Sequence, residues 1–242
     1  MLARLLKTLP VKLFYGVPNS QNPTGITYTR DRRRELASIL GKTDTLFVED
    51  DAYGELNFSG ENMPSLREFL PDQTIITGSF SKILAPGMRL GWVVANHEIM
   101  EQLVIAKQAS DLHSNYLSQR IAYQYMQQQN IDEHIRTICK VYKTQCHLMI
   151  DMIREKFPES VACTKPEGGM FTWVTLPERL SSTEVFEQAL TRGVAVLPGT
   201  PFYTDGGGSN TIRLNFSNST EQKIVTGMER LSQVISRMME RK

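Results

Sequence analysis

The 242-residue chain is 40% apolar and 22% charged, with a formal net charge of +1 at pH 7. That is the balance of a globular protein, and it offers no global basic field to nucleic acid or an anionic membrane. Three cysteines without C-x-x-C spacing and four histidines without ligand spacing argue against a disulfide framework or a zinc centre, and accord with a reducing cytoplasm.

The opening MLARLLKTLPVKLFYG is basic and apolar, but Pro10 interrupts it and no small-residue cleavage site follows. Neither a signal peptide nor a bilayer span is read there. The runs KLFYGV (12–17), TLFVED (45–50), TIITGSF (74–80) and RLGWVVA (89–95) read as strands. Several are apolar at successive positions, as in strands buried on both faces. YTRDRRRELASIL (28–40) reads as an amphipathic helix with Thr29 at its N-cap. Strand, helix, strand predicts a right-handed crossover in a parallel sheet.

From Asn96 to about Phe157 apolar residues recur at helical intervals. After Pro158 come SVACTK, GGMFTWVTL, the helix TEVFEQALTRG, VAVLPG, TIRLNFS and a closing helix from Ser219 onward, which together read as a small α+β domain. The expected division is 1–145 and 146–242. The glycines at 206–208 read as a flexible loop, since no P-loop or dinucleotide spacing surrounds them.

Four polar constellations stand at strand ends or on a strand. NSQNPTG (19–25) is a turn signal that can serve as a plain surface turn or aim Asn22 at a ligand beyond a strand's carboxyl end. In FVEDDAYGEL (47–56) an acidic turn is the ordinary reading. The spacing of Asp50 and Tyr53 also lets both face one pocket. In SFSKILAPGMRLGW (79–92), Lys82 stands among Ser79, Ser81 and Arg89. Most lysines are simply solvated, yet a hydroxyl beside a guanidinium suits a phosphate, and a lysine there can act as an amine nucleophile. In TIRLNFS (211–217), Arg213 alternates with Ile212 and Leu214, so it is either an exposed strand arginine or a carboxylate ligand.

Taken in order, QNPTG, EDDAYGEL, SFSKILAPGMRLGW, PEGGMFTW, PGTPFY and NTIRLNFS resemble the fold-type-I aminotransferases that use pyridoxal 5′-phosphate (PLP). The likeness runs from about Phe14 to the C-terminus. It is nearest to the multi-substrate and 2-aminoadipate-type enzymes and to the aminotransferase-like domains of MocR-type regulators. It implies an α/β chain forming the C-terminal part of the PLP-transferase fold: a partial, mainly parallel sheet with flanking helices, then a small α+β domain. It further implies that Lys82 forms the Schiff base with PLP and that Asp50 pairs with the pyridine nitrogen, with Asp51 as its rival. Asn22 and Tyr53 would bond the phenolic oxygen. Ser79 and Arg89, helped by Ser81, would hold the phosphate, and Arg213 would bind the substrate carboxylate. Tyr116 and Phe202 are candidates for the side-chain pocket.

The implied activity is transamination between an L-amino acid and a 2-oxo acid in a cytoplasmic homodimer, with no nucleic acid bound by this chain alone and no membrane. The alternatives are the effector-binding domain of a PLP-dependent transcriptional regulator, another PLP reaction such as a β-lyase or decarboxylase, and a non-catalytic interaction module. The family's section before the Asn-Pro turn, which supplies a phosphate-binding loop and an aromatic that stacks on the ring, has no counterpart in the residues before Asn22. The chain is therefore expected to be a truncated member with weak cofactor binding and little turnover.

Overall fold

The computed structural model describes residues 1–61 and 63–240. The chain divides into two compact units. The first comprises Met1–Asn19 and Thr27–Arg136, and the second Ser20–Ile26 and Thr137–Lys242.

In the first unit, strands β1 (Leu13–Gly16), β2 (Leu46–Asp50), β3 (Thr74–Ser79) and β4 (Gly91–Val94) form one sheet in that order. The pairs β1–β2 and β2–β3 are parallel, and β4 runs antiparallel to β3 at the edge. Helix α1 (Leu2–Thr8) precedes the sheet, and α2 (Arg30–Leu40) is the crossover between β1 and β2. The Thr29 hydroxyl accepts from the amide of Arg32, capping α2 as the sequence anticipates. Leu36 and Leu40 of α2 pack with Phe47 and Leu66, and Leu2, Leu6, Phe14, Tyr28 and Leu70 pack around them. The helix α1 was not anticipated: Pro10 interrupts the opening run, and the Leu2 and Leu6 spacing that tucks the helix against this core lies ahead of it.

The edge strand differs from a strand buried on both faces. All four residues of β4 are exposed, Trp92, Val93 and Val94 by 40–42%. Two helices follow, α3 (His97–Ser110) and α4 (Tyr116–Gln128), capped by Asn96 and Asn115. Helix α5 (Ile131–Lys156) leaves the first unit at Arg136 and enters the second at Thr137.

The second unit is built on an antiparallel sheet in the order β5 (Ala162–Cys163), β6 (Phe171–Thr175), β8 (Thr211–Asn215), β7 (Leu197–Pro198). Helices α6 (Ser182–Leu190) and α7 (Glu221–Glu240) complete it. Val174, Ile212, Phe216, Val185, Leu231 and Ile235 are fully buried and form its core.

Candidate functional site

Strand alternation decides what β2 presents. Its burial runs so that Phe47 and Glu49 are buried while Leu46, Val48 and Asp50 are half-buried. Phe47 and Glu49 thus share the α2 side, and Asp50 lies on the other face. Glu49, 1% exposed, accepts from the Ser65 hydroxyl at 2.6 Å and from the Leu66 amide at 2.9 Å. Arg33 of α2 lies 3.7 Å from it and is fully buried. The guanidinium also donates to the carbonyls of Tyr28, Pro64 and Pro18 and to Oδ1 of Asn19. Burial pushes the Glu49 carboxyl above the usual carboxylate range and pulls Arg33 below its ordinary value, against the attraction between them.

The three consecutive carboxylates therefore have separate partners. Glu49 is held in the core. Asp51 accepts from Nδ2 of Asn19 at 2.6 Å, and its own amide donates to the Thr77 carbonyl. Asp50 accepts at Oδ2 from the Tyr15 hydroxyl at 2.5 Å. Tyr53 is 7% exposed and near enough to Tyr15 to act on it electrostatically.

The segment carrying Lys82 connects β3 to β4. The amides of Leu84 and Ala85 both donate to the Phe80 carbonyl, and the Phe80 amide donates to the Leu90 carbonyl. These bonds fold the connection back on itself. Ser79 Oγ accepts from the Ser81 amide at 3.1 Å. Lys82 is half-buried and makes no side-chain hydrogen bond among the described residues. Arg89 is exposed, adopts φ 52°, and donates to the Pro86 carbonyl at 3.3 Å. Trp92 lies over Gly78, where any Cβ would collide with the indole.

In the second unit, Arg213 donates from Nη1 to Oδ1 of Asn22 at 2.6 Å. The guanidinium sits over the Phe171 ring at 4.2 Å and the Phe202 ring at 5.3 Å. The Asn-Pro turn is locked to the same unit: Thr164 Oγ1 donates to the Thr24 carbonyl, and Gly25 lies against Pro166 and Phe171 with φ +70°. The Asn22–Pro23 peptide bond is cis. Tyr116 is 65% exposed at the start of α4.

The structure thus joins Asn22 with Arg213, and Asp50 with a residue the sequence reading missed. Tyr15 sits inside an apolar run, and only strand alternation, which sets it on the face of Asp50, could have singled it out. Asn19, Arg33 and Glu49 were also missed, because charged residues in an amphipathic helix or an acidic turn read as solvated.

Residues 2–231 match the family model described as aminotransferase class I and II. Aromatic-amino-acid aminotransferase 1 of Thermococcus litoralis is 41% identical over 232 residues, 96% of this chain and 56% of that protein. The α-aminoadipate aminotransferase of Thermus thermophilus, solved with N-(5′-phosphopyridoxyl)-L-leucine, has a TM-score of 0.96 at 35% identity, over 100% of this chain and 63% of its own. An HTH-type transcriptional regulator of Bacillus subtilis is 31% identical over 230 residues, 94% of this chain and 47% of that protein. The chain spans about half the length of the curated relatives it matches.

Proposed function

This chain belongs to the class I and II aminotransferases and has the fold of the PLP transferases, and from that premise we propose that it forms the lysine-bearing part of an enzyme that exchanges an amino group between an L-amino acid and a 2-oxo acid. The observation that carries the reading is Asp50: a carboxylate at the end of a parallel strand, held by Tyr15, on the face opposite the Arg33–Glu49 core. Ligands of open α/β sheets gather beyond the carboxyl ends of strands.

PLP, when bound, supplies an electron sink that no side chain provides. Asp50 would pair with the ring nitrogen and keep it protonated. The Ser79 hydroxyl and the Arg89 guanidinium suit the phosphate, with Ser81 close by. Asn22 directs its amide oxygen to Arg213, so the polarity of its amide leaves the NH₂ as the donor for a phenolic oxygen. Tyr53 would offer its hydroxyl to a phenolic oxygen. The Lys82 amine would hold the cofactor and would serve as the base for the proton at the substrate Cα, a role in which positioned bases contribute about 10²–10⁴-fold. Arg213 binds the substrate α-carboxylate, stiffened by the aromatic rings beneath it.

No helix among the described residues is long and apolar enough to cross a membrane. The three free cysteines accord with a reducing compartment, and we assign the parent protein to the cytoplasm, as a homodimer acting on amino and 2-oxo acids. A second reading, an effector-binding domain of a PLP-dependent regulator, is favoured by the likeness to the Bacillus regulator. A winged-helix domain encoded upstream of this segment decides for it, and an aminotransferase N-terminal section decides against it.

The test is covalent. The chain and its Lys82→Ala variant are incubated with PLP, reduced with borohydride and digested. The expected result is a phosphopyridoxyl mass on the Lys82 peptide and loss of the bound-cofactor absorption band in the variant. A band that persists in Lys82→Ala refutes the role of that lysine.

A further inference from the structure

We infer that Tyr15 is a positioning residue of the cofactor site: its hydroxyl holds one oxygen of Asp50 so that the other is presented to the ring nitrogen. The inference rests on the reading above, in which Asp50 pairs with that nitrogen.

The register places the two groups. Tyr15 stands opposite Val48 in the parallel β1–β2 ladder, and Val48 shares its face of β2 with Asp50. The neighbours of Tyr15 on β1 point the other way: Phe14 stacks near Phe47 at 5.6 Å, and a Cβ on Gly16 would meet the Phe47 ring at 2.9 Å. Tyr15 and Leu13 are thus the β1 side chains on the Asp50 face, and of the two only Tyr15 carries a hydroxyl. Its hydroxyl reaches Oδ2, and Oδ1 has no hydrogen-bond partner among the described residues.

An aspartate that anchors a ring nitrogen needs two properties, an ionised carboxylate and a fixed plane. An O–H donated to one oxygen supplies the second, since it restrains rotation about the side chain and leaves the other oxygen to face the ring. The donor itself stays protonated. Partial burial, then the Asp50 hydrogen bond and charge, push the Tyr15 phenol up to about 12. Tyr15 remains 55% exposed, so the carboxylate is the cause that geometry supports most directly. The flanking carboxylates are not available to this hydroxyl, Glu49 being tied to Ser65 and Asp51 to Asn19.

Two measurements test it. In the cofactor-free chain labelled with ¹³Cζ-tyrosine, the Tyr15 resonance, identified by its loss in Tyr15→Phe, is titrated with and without Asp50→Asn. The midpoint is expected to fall when the carboxylate is removed, and a midpoint that does not move overturns the inference. PLP and a carbocyclic analogue with CH in place of the ring nitrogen are then titrated into the parent, Tyr15→Phe, Asp50→Ala and the double variant. Tyr15→Phe is expected to weaken PLP about three- to tenfold, as for a hydrogen bond to a charged group at a half-open position. It should leave the analogue unchanged and add nothing in the Asp50→Ala background. Equal weakening of both ligands marks a packing role and overturns the inference. Weakening by Asp50→Ala but not by Tyr15→Phe sinks Tyr15 alone. PLP affinity indifferent to Asp50→Ala sinks the underlying reading as well.

Discussion

Arg213 of β8 donates a 2.6 Å hydrogen bond to the amide oxygen of Asn22, a residue 191 positions earlier in the chain. The same guanidinium rests on Phe171 and Phe202. Lysine has neither the planar fork nor the stacking surface to do both. Arg213→Lys is expected to raise KM for the amino acid about tenfold or more, the worth of a lost charged hydrogen bond, with a smaller change in kcat. Steady-state kinetics of the full-length parent carrying this substitution check it, and an unchanged KM removes Arg213 from the carboxylate site.

Arg33 and Glu49 form a fully desolvated pair. Removing one member leaves the other buried and uncompensated, which costs about 3–5 kcal/mol. Arg33→Met should therefore lose about that much in urea unfolding at neutral pH. Glu49→Gln should lose less, since Arg33 keeps the acceptors of Tyr28, Pro64, Pro18 and Asn19. The Glu49 carboxyl is already held above its usual range. Its contribution is fully present below the unfolded pKa and is lost as pH rises through the raised folded value. The Arg33→Met deficit should accordingly shrink between pH 7.5 and pH 5. Equal deficits at the two pH values contradict the assignment.

Partial burial and then the hydrogen bond and charge of Asp50 push the Tyr15 phenol up to about 12, above the ordinary tyrosine value. A raised folded pKa contributes stability that is whole below the unfolded pKa and fades as pH climbs through the folded one. The parent should lose stability more steeply than Tyr15→Phe between about pH 10 and 12, from this group alone. Parallel unfolding curves for the two across that window would show that the contact with Asp50 is absent in solution.

Gly25 closes the Asn-Pro turn at φ +70°, and a Cβ there would stand 2.7 Å from Cγ of Pro166. Backbone strain at such a position is about 1–3 kcal/mol before the collision is counted. Gly25→Ala should destabilise the second unit by at least that amount in calorimetry. A neutral result would mean that the turn can move away from Pro166.

Cys146 is buried, and burial pushes its thiol up to about 12. Since the thiolate is the reactive form, Cys146 should resist a disulfide reagent at pH 8 and react fully in urea. Cys163, half-buried, should react first of the two. Quantified mass labelling over time reads the order directly.

Apart from α1, the strands and helices were legible because apolar spacing carries them: TLFVED and TIRLNFS contain β2 and β8, and Thr29 caps α2 where the pattern placed it. What escaped was polar. Arg33 lies among five other charged residues in RDRRRE and is indistinguishable from them until α2 turns it toward Glu49. Tyr15 looked like one more apolar strand residue, since a hydroxyl partner on a neighbouring strand leaves no trace in local composition. The exposure of Trp92, Val93 and Val94 was also illegible, because a run of apolar residues states what a strand prefers and not where in a sheet it lies.

The segment Ser20–Ile26 joins the second unit while both of its flanks belong to the first. During synthesis it leaves the ribosome long before its partners do. Thr24 waits 140 residues for Thr164, and Asn22 waits 191 for Arg213. The first unit can assemble around a loop still without its contacts, but the second cannot close until the last strand has emerged. A nascent chain arrested near Arg136 would therefore carry the Asn-Pro turn as an unanchored loop, open to proteases that the finished protein excludes.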